Sequence, residues 1–113
     1  MSEAGKADRI AALQAFVKGK FDEAIAAFGR ALALDPVDRE ALRGLAMAHS
    51  QKGDIEGAVG WANKLTEAAP QETLSWATLS MLLQKQGKIK EAEDAQAKAR
   101  TLSWKDQLKK PGT

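Results

Sequence analysis

Apolar residues recur at helical spacing along this chain of 113 residues. Between residues 41 and 65, one apolar helical pattern stops at Gly53 and a second begins at Ile55. Glycine readily adopts the left-handed conformation that ends a helix, and Asp54, which follows it, can cap the next helix. The pattern therefore predicts a hairpin of two helices, and no β-sheet is expected.

The hairpin recurs with a period of 34 residues, the interval that separates Pro36 from Pro70. Proline stops the second helix of its unit because it lacks an amide hydrogen and disfavours helical geometry in the residue before it. The glycines that share one position of this register are Gly19, Gly53 and Gly87. The alanines that share another, where a small side chain allows two helices to approach closely, are Ala24, Ala58 and Ala92.

This register predicts a single domain, 1–113, with repeats at approximately 5–38, 39–72 and 73–104. The expected helices span residues 6–18, 21–34, 39–52, 55–68, 72–86, 89–101 and 104–109. Polar residues replace apolar ones on the last repeat helix, as the end of a repeat array requires. Ser103 and Asp106 have the spacing of a capping box, so 104–109 is predicted to be a capping helix whose Trp104 and Leu108 shield the third repeat.

Composition narrows the possible functions. The chain has no cysteine and one histidine, His49, so it offers neither a metal site nor a nucleophile paired with a base. His49 is expected to be a partly buried packing residue. The balance of 44% hydrophobic and 28% charged residues is that of a globular domain with no membrane span. We therefore expect a non-catalytic protein without a cofactor, and a cytoplasmic location in the absence of a signal-peptide pattern.

Residues 19–36, with the sequence GKFDEAIAAFGRALALDP, resemble the tetratricopeptide repeat. Residues 53–70 and 74–100 follow the same pattern, and the latter supplies the large residue Trp76 near its start. The resemblance extends over residues 5–104. It implies an all-α fold, namely an α-solenoid of three helix-turn-helix repeats plus the short capping helix. It also implies that the protein acts as a protein-binding scaffold.

The resemblance also implies a binding groove, because the first helices of such repeats line a concave surface. Leu13, Met47 and Met81 share one groove position and form an apolar ladder. The residues expected to form this peptide-binding groove are Arg9, Leu13, Phe16, Val17, Arg43, Met47, Gln51, Leu74, Met81 and Lys85. Methionine adapts its shape to varied partners, so the predicted ligand is an apolar peptide segment of another protein.

One branch of the family grips the C-terminal carboxylate of heat-shock chaperones with a clamp of lysine, asparagine and arginine side chains. The corresponding positions in this chain are Arg9, Leu13, Gly44, Leu74 and Thr78. Only Arg9 keeps a charge, whereas a carboxylate needs a cluster of cations and amides. The ligand is therefore expected to be more apolar than a chaperone tail.

The sequence leaves two other functions open. Trp61 and Trp104 could mediate self-assembly into a homo-oligomer. Residues 84–113 carry eight Lys/Arg against four Asp/Glu, which suggests nucleic acid as a partner of the basic end. That end lacks interleaved aromatic residues beyond Trp104, and its lysines also suit the negative end of a helix dipole, so nucleic-acid binding is not expected.

Overall fold

A computed structural model describes Glu3 and residues 5–109. These residues form six α-helices and no β-strand. The helices are α1 (Lys6–Val17), α2 (Phe21–Leu34), α3 (Arg39–Gln51), α4 (Ile55–Ala68), α5 (Thr73–Lys85) and α6 (Ile89–Lys109). They pair as α1–α2, α3–α4 and α5–α6, which confirms the predicted all-α solenoid of helix-turn-helix repeats.

The turn inside each pair is made by the predicted glycine. Gly19, Gly53 and Gly87 have φ angles of 77°, 92° and 86°, in the left-handed region that an L side chain rarely adopts. In each turn the residue after the glycine donates its backbone N–H to a carbonyl five residues earlier, a bond characteristic of the Schellman motif. In the second turn Asp54 then caps α4 by accepting a 2.9 Å hydrogen bond from the Gly57 N–H.

Small residues lie where the helices cross. Ala24, Ala58 and Ala92 are each fully buried, which confirms their place in the register. The core forms two clusters, one around Phe28 and Leu45 and the other built by α3, α4, α5 and α6. Trp61 packs against both clusters and joins them. Each cluster spans two repeats, so packing against the next repeat adds to the packing within each pair, as in other solenoids.

The prediction of a separate capping helix at 104–109 is wrong. Residues 103–109 continue α6, which has 21 residues, whereas α2 and α4 have 14 each. Trp104 stands in the register position of Pro36 and Pro70, so no helix breaker interrupts this segment. Trp104 and Leu108 are 68% and 76% exposed and therefore do not shield the third repeat.

The polar surface that ends the array lies before Trp104, on the part of α6 that belongs to the third repeat. Glu93, Gln96 and Arg100 are exposed there. The residues in register on α2, namely Ile25, Phe28 and Leu32, are partly or fully buried. This difference arises because α2 is covered by α3, whereas α6 contacts α5 alone within the described chain.

Candidate functional site

The first helices of the three pairs lie next to one another. Helix α3 contacts both α1 and α5, whereas no contact joins α2 to α4 or α4 to α6 within residues 5–109. The first helices therefore lie on the inner side of the curve and the second helices on the outer side. The predicted groove residues are all on α1, α3 and α5, and so belong to the inner layer.

An apolar pocket of about 300 Å³ opens on this inner layer between α1 and α3. Four of the predicted groove residues line it together. They are Leu13, Phe16, Arg43 and Met47. Leu13 is 52% exposed, whereas Phe16 and Met47 are half-buried, so an apolar surface is accessible to solvent. We call this site the α1–α3 pocket.

The pocket has three further lining residues that the sequence analysis did not assign to the groove, namely Phe28, Glu40 and Gly44. Phe28 comes from α2, the outer layer, and its ring reaches the pocket because Gly44 has no side chain. A Cβ atom at residue 44 would overlap that ring. The sequence signal for this contact was Gly44 itself. A glycine in the middle of a helix that it does not break indicates that another group approaches the backbone closely.

Arg9, by contrast, lies beneath the groove surface and is 4% exposed. Its Nη1 donates to Asp38 Oδ2 at 2.7 Å, and its Nε lies 3.3 Å from Glu40 Oε2. Asp38 also caps α3 by accepting a 3.1 Å hydrogen bond from the Ala41 N–H. Arg9 therefore joins α1 to the start of α3, and its charge is neutralised within the protein.

Arg43 shares the register position of Arg9 but faces the pocket. Its Nη2 lies 3.7 Å from Glu72 Oε1, while Arg39 also pairs with Glu72. The Nε atom of Arg43 is buried and has no hydrogen-bond partner among the described residues. A buried N–H without an acceptor costs about 1 to 3 kcal/mol, so this position of the Arg43 side chain is unfavourable for stability.

The other predicted groove residues lie outside the α1–α3 pocket. Leu74 at the start of α5 is 51% exposed, and Met81 on the same helix is 37% exposed. Val17 and Gln51 are exposed at the ends of α1 and α3. Lys85 donates from Nζ to Ser50 Oγ at 3.3 Å, so it bridges α5 and α3.

The single histidine contacts the turn between α3 and α4. His49 is half-buried, and its Nδ1 lies 2.9 Å from Asp54 Oδ2 across the turn between α3 and α4. The pKa of Asp54 is lowered from its ordinary value of 3.8, first by the Gly57 N–H bond and then by His49. Within the described part of the chain, no group of His, Asp and Glu side chains is suited to hold a metal ion.

The helices, their pairing and the inner layer define a helical repeat protein of the solenoid class. Residues 11–73 match the family model of the tetratricopeptide repeat. Since this match includes more than half of the sequence, the chain belongs to the tetratricopeptide repeat family. Among curated protein sequences, none matches this chain. Of the helices that the structure describes, none is long and apolar enough to cross a membrane.

Solved structures show the same fold. The crystal structure of MamA is 22% identical, with a TM-score of 0.87 over 93% of this chain, which spans 61% of that protein's length. The second repeat domain of Spaghetti (RPAP3), bound to the HSP90 peptide SRMEEVD, is 19% identical, with a TM-score of 0.81 over 88% of this chain and 93% of that one. The translocator chaperone SycD of Yersinia enterocolitica, in an alternative dimer, is 21% identical, with a TM-score of 0.83 over 98% and 81%.

Proposed function

We propose that this protein is a non-catalytic interaction module that binds an apolar peptide segment of a partner protein along its inner layer. The observation that carries the proposal is the α1–α3 pocket, where Leu13, Phe16 and Met47 present apolar surface to solvent. Pockets that combine apolar side chains with a few polar groups are the usual ligand sites of proteins. The related domain of Spaghetti holds a peptide, which supports a peptide as the class of ligand.

The charges around the pocket favour an apolar ligand over an acidic one. Arg9 is paired with Asp38 and Glu40, and Arg43 with Glu72. A carboxylate brought into this groove would meet cations that already have anionic partners. The chaperone-tail clamp is therefore not the mode of recognition that we propose.

The expected affinity is moderate. Burying a large apolar side chain contributes about 1.5 to 3 kcal/mol before the costs of ordering are subtracted. Three such contacts contribute at most about 9 kcal/mol before those costs, so binding should be no tighter than the micromolar range, about −8 kcal/mol. Salt should change this affinity little, because the charged residues only flank the contact.

The test is a selection of peptide ligands from a random display library, followed by calorimetry with the chosen peptide. Met47→Glu places a carboxylate in the centre of the pocket and should abolish binding while circular dichroism remains helical. Leu34→Glu is the matched control, since Leu34 is 59% exposed on the outer helix α2, and this variant should bind like the wild type. Undiminished binding by Met47→Glu would place the site elsewhere, and unfolding of this variant would make Met47 a core residue.

Self-assembly is the second candidate function. It is supported by the exposed Trp104 and Leu108, one turn apart on the extension of α6. Two large apolar side chains that are mostly exposed are a natural surface for a second copy. Sedimentation equilibrium of the wild type and of a Trp104→Ala, Leu108→Ala variant tests this candidate. A monomer at all concentrations would exclude it.

A further inference from the structure

We propose that the C-terminal part of α6 is a contact surface for an anionic lipid bilayer, with Trp104 and Leu108 inserted at the interface and the neighbouring cations placed against the lipid headgroups. This surface consists of residues 100–109 and is called here the α6 end. It belongs to the outer layer and not to the inner groove, so the inference goes beyond the proposed function and does not depend on it.

The apolar part of the α6 end faces away from the fold. Arg100, Trp104 and Leu108 are spaced four residues apart, so their side chains lie along one face of the helix. All three are exposed, whereas Leu102 on the opposite face is buried against the rest of the chain. The fold therefore leaves two large apolar side chains in water at the end of its last helix.

The charged part of the α6 end is cationic. Residues 100–109 hold three Lys/Arg against one Asp, whereas residues 91–94, at the start of the same helix, hold three Asp/Glu and no cation. Lys105 and Lys109 each follow one of the two apolar residues, and neither forms an ion pair within the described chain. An anionic surface would thus attract the end of α6 and repel its start.

The combination of an exposed indole with lysines favours a lipid surface. Tryptophan prefers the bilayer interface because its ring is apolar and its N–H is polar, and a lysine stem lies along apolar surface while its ammonium reaches the headgroups. Nucleic acid would pair with the cations but leave the apolar side chains in water. Binding of single strands relies on successive aromatic residues, of which this end has one.

A second copy of the chain is less well suited to this face. A two-fold contact would place the α6 end of one protomer against the same surface of its partner. Each end has a net charge of +2, so like charges would surround the apolar contact. The headgroups of an anionic bilayer instead neutralise these charges while the two apolar side chains leave water.

Flotation with lipid vesicles tests the proposal on the full chain. Two apolar side chains alone anchor a protein weakly, so binding should require anionic lipid as a second signal. The protein should float with vesicles of phosphatidylcholine and phosphatidylglycerol in equal parts. It should stay in solution with phosphatidylcholine alone and at high salt. A protein that does not float with the anionic vesicles would overturn the proposal.

The apolar contribution is tested by two double variants. Trp104→Ser with Leu108→Ser should weaken vesicle binding at least about tenfold, because both inserted side chains are lost. Leu34→Ser with Val37→Ser is the matched control, since these residues are 59% and 61% exposed outside α6, and it should bind like the wild type. Circular dichroism should be helical for both. Equal binding by the two variants would place the contact elsewhere.

The charged contribution is tested in the same way. Lys105→Gln with Lys109→Gln should weaken binding about 25-fold, since each lysine close to an anionic membrane contributes about fivefold. Lys18→Gln with Lys20→Gln, at two exposed lysines in the turn between α1 and α2, should have no such effect. Equal losses in both variants would mean that net charge alone, and not the α6 end, drives binding.

The position of Trp104 has an independent readout. The chain has three tryptophans, and Trp61 and Trp76 are half-buried in the fold. Brominated acyl chains quench an indole that enters the bilayer, so they should quench part of the wild-type fluorescence. Trp104→Phe keeps an aromatic anchor and should still float, but this quenching should be lost. Quenching that persists in Trp104→Phe would contradict the assignment.

Three further results would refute the proposal. A wild-type dimer that becomes a monomer in Trp104→Ser with Leu108→Ser would make a second copy the occupant of this face. Flotation that a short DNA duplex prevents, at an equal concentration of phosphate groups, would make nucleic acid the preferred partner. Loss of flotation in Met47→Glu would move the lipid contact to the inner groove. Peptide binding by the groove is measured separately, so either proposal can fail alone.

Discussion

The two junctions between repeats are built on the same pair of positions but with different environments. At the first junction Arg9 and Asp38 are 2.7 Å apart, with side chains 5% and 1% exposed. At the second, Arg43 and Glu72 occupy the equivalent positions, yet they are 3.7 Å apart and 27% and 34% exposed. Asp38 caps α3 through the Ala41 N–H, whereas no side-chain cap is formed by Glu72 on α5.

This difference separates structure from function within one register. Removing one partner of a buried pair leaves an uncompensated charge and costs about 3 to 5 kcal/mol, whereas an exposed pair contributes about 0 to 1 kcal/mol. The first junction thus uses its arginine to fix α1 against α3. The second leaves its arginine partly accessible at the pocket, where we propose that it contacts the ligand.

The largest effect is expected from breaking the first junction. Asp38→Ala removes the nearer of the two carboxylates beside Arg9 and also the cap of α3, so it should lower the free energy of unfolding by about 3 kcal/mol. Glu72→Ala, the equivalent change at the second junction, should cost less than about 1 kcal/mol. Urea denaturation measures both variants. Equal losses would show that the two junctions are energetically alike.

A smaller effect tests the packing inside each repeat, which should not differ as the two junctions do. Ala24 and Ala58 are both fully buried at helix crossings, so leucine at either position should cost about 1 to 3 kcal/mol through overpacking. Unlike the ion pairs, these positions should give similar losses of stability in the first and second repeats. An unchanged thermal melt for Ala58→Leu would contradict the register.

The third repeat allows a stabilising change. Ser75 is fully buried, and its hydroxyl has no hydrogen-bond partner among the described residues, while the equivalent position of the second repeat is Ala41. Ser75→Ala should raise the free energy of unfolding by about 1 kcal/mol. Ser80→Ala is the control and should lower it, because Ser80 Oγ donates to the Ala92 carbonyl at 2.8 Å. A gain in both variants would mean that neither hydroxyl is used.

The smallest effect concerns pH and the turn between α3 and α4. The Gly57 N–H and His49 hold the pKa of Asp54 below its ordinary value of 3.8. A carboxyl group whose pKa is lowered by folding stabilises the fold at pH values above its pKa in the unfolded chain. This contribution disappears as the pH falls through the folded-state pKa. Wild type and Asp54→Ala should therefore differ in stability at pH 7, and the difference should shrink as the pH falls below 3.8. A constant difference would contradict this assignment.

Features set by local chemistry could be predicted from the sequence. The left-handed glycine turns and the crossing alanines depend on a residue and its register, and the structure confirms them at Gly53 and Ala58. The predicted capping helix was wrong because Trp104 stands where a proline would have ended α6, so the Ser103–Asp106 spacing lies inside a continuous helix. A capping box cannot start a helix where the chain is already helical.

Features that depend on three-dimensional packing could not be predicted. The sequence shows that Arg9 and Arg43 share a register position, but their burial depends on how Asp38 and Glu72 are oriented by the loops before α3 and α5. Gly44 indicated a close approach without naming Phe28 as the approaching group. The pocket therefore depends on how α2 packs against α3, which the sequence pattern does not define.

The separation of the two arginines is tested most directly by measuring unfolding and binding in parallel for Arg9→Met and Arg43→Met. Urea denaturation gives the first quantity, and calorimetry with a library-selected peptide gives the second. We predict that Arg9→Met loses stability by about 3 to 5 kcal/mol, since the buried Asp38 carboxylate loses the Arg9 cation. Arg43→Met should lose no stability, because it removes a weak, partly exposed ion pair together with a buried N–H that has no acceptor among the described residues, and it should lose affinity. Loss of the same quantity in both variants would contradict the division between a structural and a ligand-contacting arginine.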